Sequence, residues 1–348
     1  MPTMTLSSAV PSLVRLDRAA LGRRAFLAGA AASVLLPTLR GAAAAADPPA
    51  LRIGSLKFGT LNWLVETIKA EGLAARLGLQ LESVDFASGQ ATTVALQAGD
   101  VDLIVTDWLW ALRLRNEGRD FRFAPFSNAL GALMVAANGP VRGLSDLAGR
   151  KIGVAGGALD KSWLLLRAYA QERAGIDLAT AAEAVYGAPP LVNQQLALGR
   201  VDAALAFWPF AARLDAAGFQ RLLDVKDVIA GLGISPTPPL VGFVWRGGIE
   251  AEKAAALAGF FQAAAAANRV LATSDAAWER LRPLMQAADE AEFVKLRDYF
   301  RAGIPGGFGE AELAACARLY EVLARIGGAE LVGPKPGFDP ALFAPLKV

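Results

Sequence analysis

The sequence predicts an α/β protein of two lobes built on one plan. Three observations predict it. The stretch Leu96-Gln-Ala-Gly-Asp-Val-Asp-Leu-Ile-Val-Thr-Asp-Trp108 returns one hundred residues later as Leu196-Ala-Leu-Gly-Arg-Val-Asp-Ala-Ala-Leu-Ala-Phe-Trp208. Gly99/Gly199, Val101/Val201, Asp102/Asp202, Trp108/Trp208 and Arg113/Arg213 coincide at that constant offset. Upstream, Arg52-Ile-Gly54 is echoed by Lys151-Ile-Gly153, and Trp63-Leu64 by Trp163-Leu164. Each copy reads helix, glycine stop, buried strand, then an aromatic at the strand's exit. The period is too long for a solenoid repeat. It fits two lobes in which Trp108 and Trp208 face a shared cleft.

The first segment, residues 1–46, reads as an export signal. Arg23-Arg24-Ala-Phe26-Leu27 precedes the apolar run Ala28–Leu36, and an alanine tract of small residues leads to Asp47. Paired arginines followed by Phe-Leu resemble a twin-arginine signal; an ordinary secretory signal with two chance arginines is the alternative. The apolar run is short of the roughly 20 residues that span a bilayer. The single cysteine, Cys316, lies far from any cleavage site, which argues against a lipid anchor.

Next, Leu51–Leu56 opens as a strand, and Leu61–Arg76 has helical spacing at Leu61, Leu64, Val65, Ile68 and Leu73. Leu79–Phe86 is a second strand, Ala91–Ala98 a helix, Val101–Thr106 a buried strand and Trp108–Glu117 a helix stopped by Gly118. This alternation predicts a largely parallel sheet covered by helices. The long apolar run Phe126–Val135 reads as the strand leaving the lobe. Lys151–Leu214 repeats the pattern, and Pro236-Thr-Pro-Pro precedes Leu240–Trp245, a second apolar strand suited to returning the chain. Two crossings make a hinge. From Glu250 onward the pattern is helical, and these helices are expected to pack on lobe 1. Residues 47–135 thus form the first part of lobe 1, 136–238 lobe 2, and 239–348 the return strand and C-terminal helices completing lobe 1.

Composition narrows the function classes. Removing Met1–Ala46, with five basic residues and one acid, takes the formal net charge from +2 to −2. Nucleic-acid binding wants a basic surplus, so none is expected. The chain has no histidine, which removes Ser-His-Asp and Cys-His triads and the commonest metal ligand. Zinc is left without a ligand set, and the acids form no calcium-loop pattern, so neither metal nor cofactor is expected. One cysteine allows no intrachain disulfide.

With these features the chain resembles the solute-binding proteins of ABC importers, in the group that includes nitrate, taurine, sulfonate and thiamine-precursor binders. The resemblance rests on the signal, Ile53-Gly54, Gly99-Asp-Val-Asp102 and Leu144-Ser-Asp-Leu-Ala-Gly-Arg-Lys151-Ile-Gly153-Val. It implies a two-lobed type II periplasmic binding fold closing around one small molecule. It also implies docking to a membrane permease and its ATPase, with no catalysis. The expected product is a soluble periplasmic monomer.

Ligands of open α/β sheets sit beyond the carboxyl ends of strands. That rule selects five loops. In Lys57-Phe58-Gly59-Thr60, Gly59 allows close approach and Thr60 offers a hydroxyl or caps the helix. Ser88 and Gly89 open a helix whose N–H groups suit an oxygen ligand, with plain capping as the alternative. Asp107 and Trp108 could pair with and stack on a ligand's cation; a helix cap beside a core indole is the competing reading. Gly157 and Ser162 flank an anion-receptive turn in which Asp160 is a candidate cap. Tyr186 offers a ring and a hydroxyl. Asn128 at the hinge and Trp208 complete the set. Few basic residues lie in these loops, which leans the reading towards a ring-bearing or amine-containing solute, with an oxyanion still open. Capture of a small organic solute for an importer is the favoured function. An enzyme on the same fold and a ligand-binding sensor are the alternatives.

Overall fold

The computed structural model describes residues 50–344, so the expected signal segment lies outside the described residues. The chain first lays down β1 (Ala50–Leu56), α1 (Leu61–Ala70), the single turn α2 (Leu73–Arg76), β2 (Gln80–Phe86) and α3 (Gly89–Ala98). Then come β3 (Leu103–Asp107), α4 (Trp108–Asn116) and β4 (Phe121–Ser127). A second series follows: β5 (Ala132–Val135), β6 (Lys151–Ala155), α5 (Lys161–Ala174), α6 (Leu178–Ala181), β7 (Glu183–Gly187) and α7 (Pro189–Ala197). It ends with β8 (Ala203–Ala206), α8 (Trp208–Ala216), β9 (Gln220–Asp224) and α9 (Val225–Gly231). After β10 (Val241–Arg246) the chain is helical: α10 (Ile249–Glu252), α11 (Ala254–Thr273), α12 (Asp275–Met285), α13 (Glu290–Ala302) and α14 (Glu310–Val332).

Two five-stranded sheets result, ordered β2-β1-β3-β10-β4 and β7-β6-β8-β5-β9. The order is the same in both when β10 is matched with β5 and β4 with β9. In each, the first three strands run parallel and the fourth runs antiparallel to its neighbours.

The sequence repeat encodes this sameness through backbone contacts. The N–H of Asp102 donates to Arg52 O and that of Asp202 to Lys151 O, each at 2.8 Å. In return Asp102 Oδ2 accepts from Arg52 N at 2.8 Å, and Asp202 Oδ2 from Lys151 N at 2.9 Å. Each aspartate therefore ties the start of the third strand to the start of the first. Gly99 and Gly199 end the preceding helices at φ 87° and 64°, in the left-handed region that glycine enters without a Cβ clash. A Cβ on Gly54 would stand 3.2 Å from Val101 Cγ2, and one on Gly153 3.3 Å from Val201 Cγ2. Paired glycine and valine positions let the first strand pack closely against the chain entering the third.

Three sequence expectations change. The apolar run Phe126–Val135 is two strands rather than one: β4 ends at Ser127 in the first sheet and β5 begins at Ala132 in the second. The crossing is therefore 128–131, ahead of the expected lobe boundary at 135/136. From Phe123 to Ser127 and from Ala132 to Val135 every residue is buried, so hydropathy carries no break between the strands. The last helix, expected from its spacing to span Glu310–Arg325 and to end at Gly327-Gly328, runs on to Val332 with a kink at Gly328 (φ 56°, ψ −161°). Finally, the C-terminal helices do not all belong to lobe 1. Leu257, Phe260 and Ala263 of α11 and Trp278 of α12 do share a core with α1. The helix α13 packs on α8 and sets Phe300 against Trp63 of α1, and α14 packs on both α4 and α5, so both bridge the lobes.

Candidate functional site

The carboxyl edges of the two sheets meet each other. Asp107 closes β3, and Lys161 opens α5 just past the end of β6. Lys161 Nζ donates to Asp107 Oδ2 at 2.8 Å. Burial pushes the Lys161 ammonium down, but the Asp107 carboxylate outweighs it and raises the lysine above its ordinary value. The other Asp107 oxygen accepts from Trp110 N at 2.9 Å, capping α4. Asp160 caps α5 in the same way, accepting from Trp163 N at 3.1 Å. Burial pushes its carboxyl up to about 6. A cavity of about 160 Å³ adjoins the pair, lined among others by Trp110, Arg113, Leu159, Glu330 and Leu331.

The second meeting point is aromatic. Trp208 is 8 % exposed and lies edge-on to Trp63, ring centroids 6.0 Å apart. Phe300 of α13 stands 5.9 Å from Trp63 and 6.3 Å from Trp208. Trp208 therefore fills a joint between lobes and does not face an open cleft.

Trp108 departs from expectation as well. It is fully buried, donates from Nε1 to Pro239 O at 2.9 Å, and packs on Phe338 and Phe343. The two repeated tryptophans thus enter different interiors, Trp108 against the return crossing and Trp208 against α1. Their indoles are core, as the competing reading for Trp108 had it. A strand-end aromatic reads identically in sequence whether it turns to solvent or under its own helix, which is why the repeat misled here.

The remaining candidates divide by exposure. Phe58 is 81 % exposed in a tight turn where Gly59 N donates to Leu56 O at 2.8 Å. Thr60 precedes α1 without a side-chain capping bond, so its hydroxyl is not engaged there. Ser88 and Gly89 are exposed, and Ser88 Oγ accepts from Ala91 N at 3.2 Å, the capping role weighed above. Gly157 is exposed in the turn after β6, and nothing lies within 4 Å of where its Cβ would be. Ser162 is buried in the first turn of α5. Tyr186 is 44 % exposed on the edge strand β7, beside a shallow hollow with Leu191 and Val192. Asn128 sits in the outgoing crossing with its N–H bonded to Gly303 O at 2.8 Å, while its buried side-chain oxygen has no hydrogen-bond partner.

Sequence reasoning missed Arg113, Glu330 and the partnership of Lys161 with Asp107. The repeat carries a signal for the first: Arg113 aligns with Arg213, which donates to Met285 O at 2.9 Å, whereas Arg113 borders the cavity. Among the described residues no group of three or more acidic or cysteine side chains is placed to hold a metal.

Twin sheets of one strand order, joined by two crossings and facing each other at their carboxyl edges, define a bilobal periplasmic binding fold. The sequence model of the periplasmic substrate-binding proteins of phosphonate ABC transporters matches residues 70–298, more than half of the chain. The chain belongs to that family, and is the extracytoplasmic substrate-binding component of an ABC importer. No curated protein matches it by sequence. Among solved structures, the periplasmic aliphatic sulphonate binding protein SsuA of Escherichia coli is similar, with TM-score 0.69 and 20 % identity over 86 % of this chain and 94 % of that one. The alkanesulfonate-binding protein SsuA of Xanthomonas axonopodis pv. citri, bound to MOPS, gives TM-score 0.63 and 19 % identity over 86 % and 100 %. The desulfurization enzyme DszB gives 0.54 and 19 % over 82 % and 96 %, so the same fold also carries catalysis. At these identities the likeness concerns the fold.

Proposed function

We propose that the chain captures a small organic oxyanion, headed by a phosphonate or sulfonate group, and hands it to a membrane permease driven by an ATPase. The observation that carries this reading is the distribution of free helix starts at the meeting edges, taken with the family match. Helix N-termini attract anions through unpaired N–H groups. The start of α4 is taken by Asp107 and that of α5 by Asp160. The start of α7 is Pro189-Pro190, which offers no N–H. What remains in lobe 1 is the beginning of α1, with Thr60 uncommitted and Lys57 exposed; α3 begins at the exposed Ser88 and Gly89, with Ser88 Oγ already accepting from Ala91 N. Phe58, Gly157, Ser162, Tyr186 and Asn128 are the further contacts we assign. Asp107 is withdrawn from cation recognition because Lys161 already supplies the positive charge. The phosphonate family, the sulphonate-binding SsuA of Escherichia coli and the MOPS bound to the Xanthomonas SsuA support the same head group.

In this reading the protein acts as a monomer, and residues 1–46 with Arg23-Arg24 direct its export through the twin-arginine route. Calorimetric titration and thermal shift with methylphosphonate, ethanesulfonate and ethylamine test the ligand class. An oxyanion should raise the melting temperature, and Thr60→Val with Ser88→Ala should abolish that rise. Stabilisation by ethylamine alone, or an oxyanion effect untouched by the double variant, would sink the assignment. The fold shared with DszB motivates one rival, an enzyme, and turnover of a bound oxyanion by the purified protein would establish it.

A further inference from the structure

The two lobes touch through contacts of very different kinds. On one side Trp208 and Ala212 of α8 are buried in the core that contains Trp63, Trp278 and Phe300. Polar bonds seal that joint: Arg213 donates to Met285 O, and Asp215 accepts from Tyr299 Oη at 2.8 Å and from Lys295 Nζ at 3.1 Å. On another side α14 lies across α4 and α5, and Leu331 packs beneath Gly327 next to Leu164. The first joint adds two ion pairs between α13 and α8, Lys295–Asp215 and Arg213–Glu292, to its apolar core, and both joints run through helices that belong to neither sheet. Against them stands one contact made directly from sheet edge to sheet edge by charged side chains, Asp107 with Lys161. It is the only ion pair among the described residues that joins the β1–β4 half to the β5–β9 half. Its side chains keep 19 % and 24 % exposure, and the cavity beside it leaves the pair unpacked on one flank.

We propose that Asp107–Lys161 is a latch that holds the solute-free lobes together, with α13 and α14 as the joints about which they part. A packed indole joint yields only by exposing a large apolar surface. A partly hydrated ion pair exchanges its partner for water at little net cost. The contact that opens first is therefore the pair, and its strength sets the ratio of joined to parted forms. Lys161 then acts on solute affinity through the lobe equilibrium, without touching the solute.

The test needs no ligand. Nitroxide labels on Ser83→Cys in β2 and Glu183→Cys in β7, both at exposed positions, report the lobe separation by pulsed electron–electron resonance. Cys316 is buried and stays unlabelled. The parent should give one main distance. Asp107→Asn keeps an oxygen for the Trp110 N–H and loses the charge, so the helix cap survives. It should raise the longer-distance population about fivefold, the size of effect expected for one partly exposed pair. Lys161→Met should do the same, and the two together no more than either alone. Unchanged distributions in both single variants would overturn the latch, as would fully additive shifts in the double variant. A matching shift in Arg269→Ala, an exposed charge on α11, would also overturn it.

Discussion

Trp208, the first residue of α8 in lobe 2, lies edge-to-face on Trp63 of α1 in lobe 1, with ring planes at 82°. The contact joins two halves of the chain 145 residues apart in sequence, and each ring is nearly free of solvent, 8 % and 4 % exposed. Trp208→Ala should destabilise the protein by about 3–5 kcal/mol, the range for emptying a large aromatic site. Trp208→Phe, which keeps much of the volume, should lose clearly less. Urea unfolding followed by far-ultraviolet circular dichroism measures both. Equal losses would mean that the indole is not packed against Trp63.

The repeated aspartates should differ in weight despite identical backbone roles. Asp102 is 1 % exposed, and beyond the Arg52 backbone it accepts from Arg52 Nη2 at 2.9 Å and Lys253 Nζ at 2.7 Å. Asp202 is 29 % exposed and has only Arg150, at 3.7 Å, as an ionic partner. Asp102→Ala should cost about 1.5–3 kcal/mol, since it removes hydrogen bonds to the charged Arg52 and Lys253 groups. Asp202→Ala should cost about 1 kcal/mol, one backbone hydrogen bond. Burial pushes the Asp102 carboxyl up, but the bonds from Arg52 and Lys253 outweigh it and hold it below the ordinary value. Its stabilisation is thus complete above the unfolded-state pKa and is lost as pH falls through the lower folded value. Urea midpoints of the parent should drop there more steeply than those of Asp102→Ala.

Asp160 has the opposite sign. Its folded carboxyl titrates near about 6, above the ordinary 3.8 of the unfolded chain. The folded state therefore takes up a proton that the unfolded state refuses. The group's unfavourable contribution is present above pH 6 and is relieved as pH falls from there towards 4. Relative to Asp160→Asn, which keeps a capping oxygen, the parent should gain stability between pH 7 and pH 5. A parallel pH profile for the two proteins would contradict the burial of this carboxylate.

Cys316 is buried on α14, and burial pushes its thiol up to about 12. The thiolate is the reactive form. Ellman's reagent at pH 8 should therefore react at the rate of unfolding and not of encounter, with full reaction in urea. Rapid reaction of the native protein would place the thiol at the surface.

How much was legible beforehand can be argued residue by residue. The helix stops at Gly99 and Gly199 and the strands after them were readable because a left-handed backbone and a double-sided burial each demand particular residues. Ser274 caps α12 and Asp289 caps α13, each a residue type that marks a helix start in sequence. The edge strand β9 was not picked out, since its mixed polarity resembles a loop, and of β4 only the last two residues fell within the apolar run read as a strand. Among site candidates, exposure at Phe58, Ser88, Gly89 and Tyr186 agrees with a role at the edges. Asp107 was recognised as polar and well placed, but its partner on the other lobe was not.

By itself the sequence determined the local plan: which segments are strands and helices, where they stop, and that the plan is executed twice. Those outcomes follow from backbone sterics and from apolar periodicity, which act within about a dozen residues of one another. Only the tertiary structure decided which face each repeated residue would meet. It buried Trp108 against Pro239, sent Trp208 into the opposite lobe's core, and set Lys161 on Asp107. Partners distant along the chain are chosen by how whole sheets and helices fit together, and identical local motifs can therefore end in different surroundings.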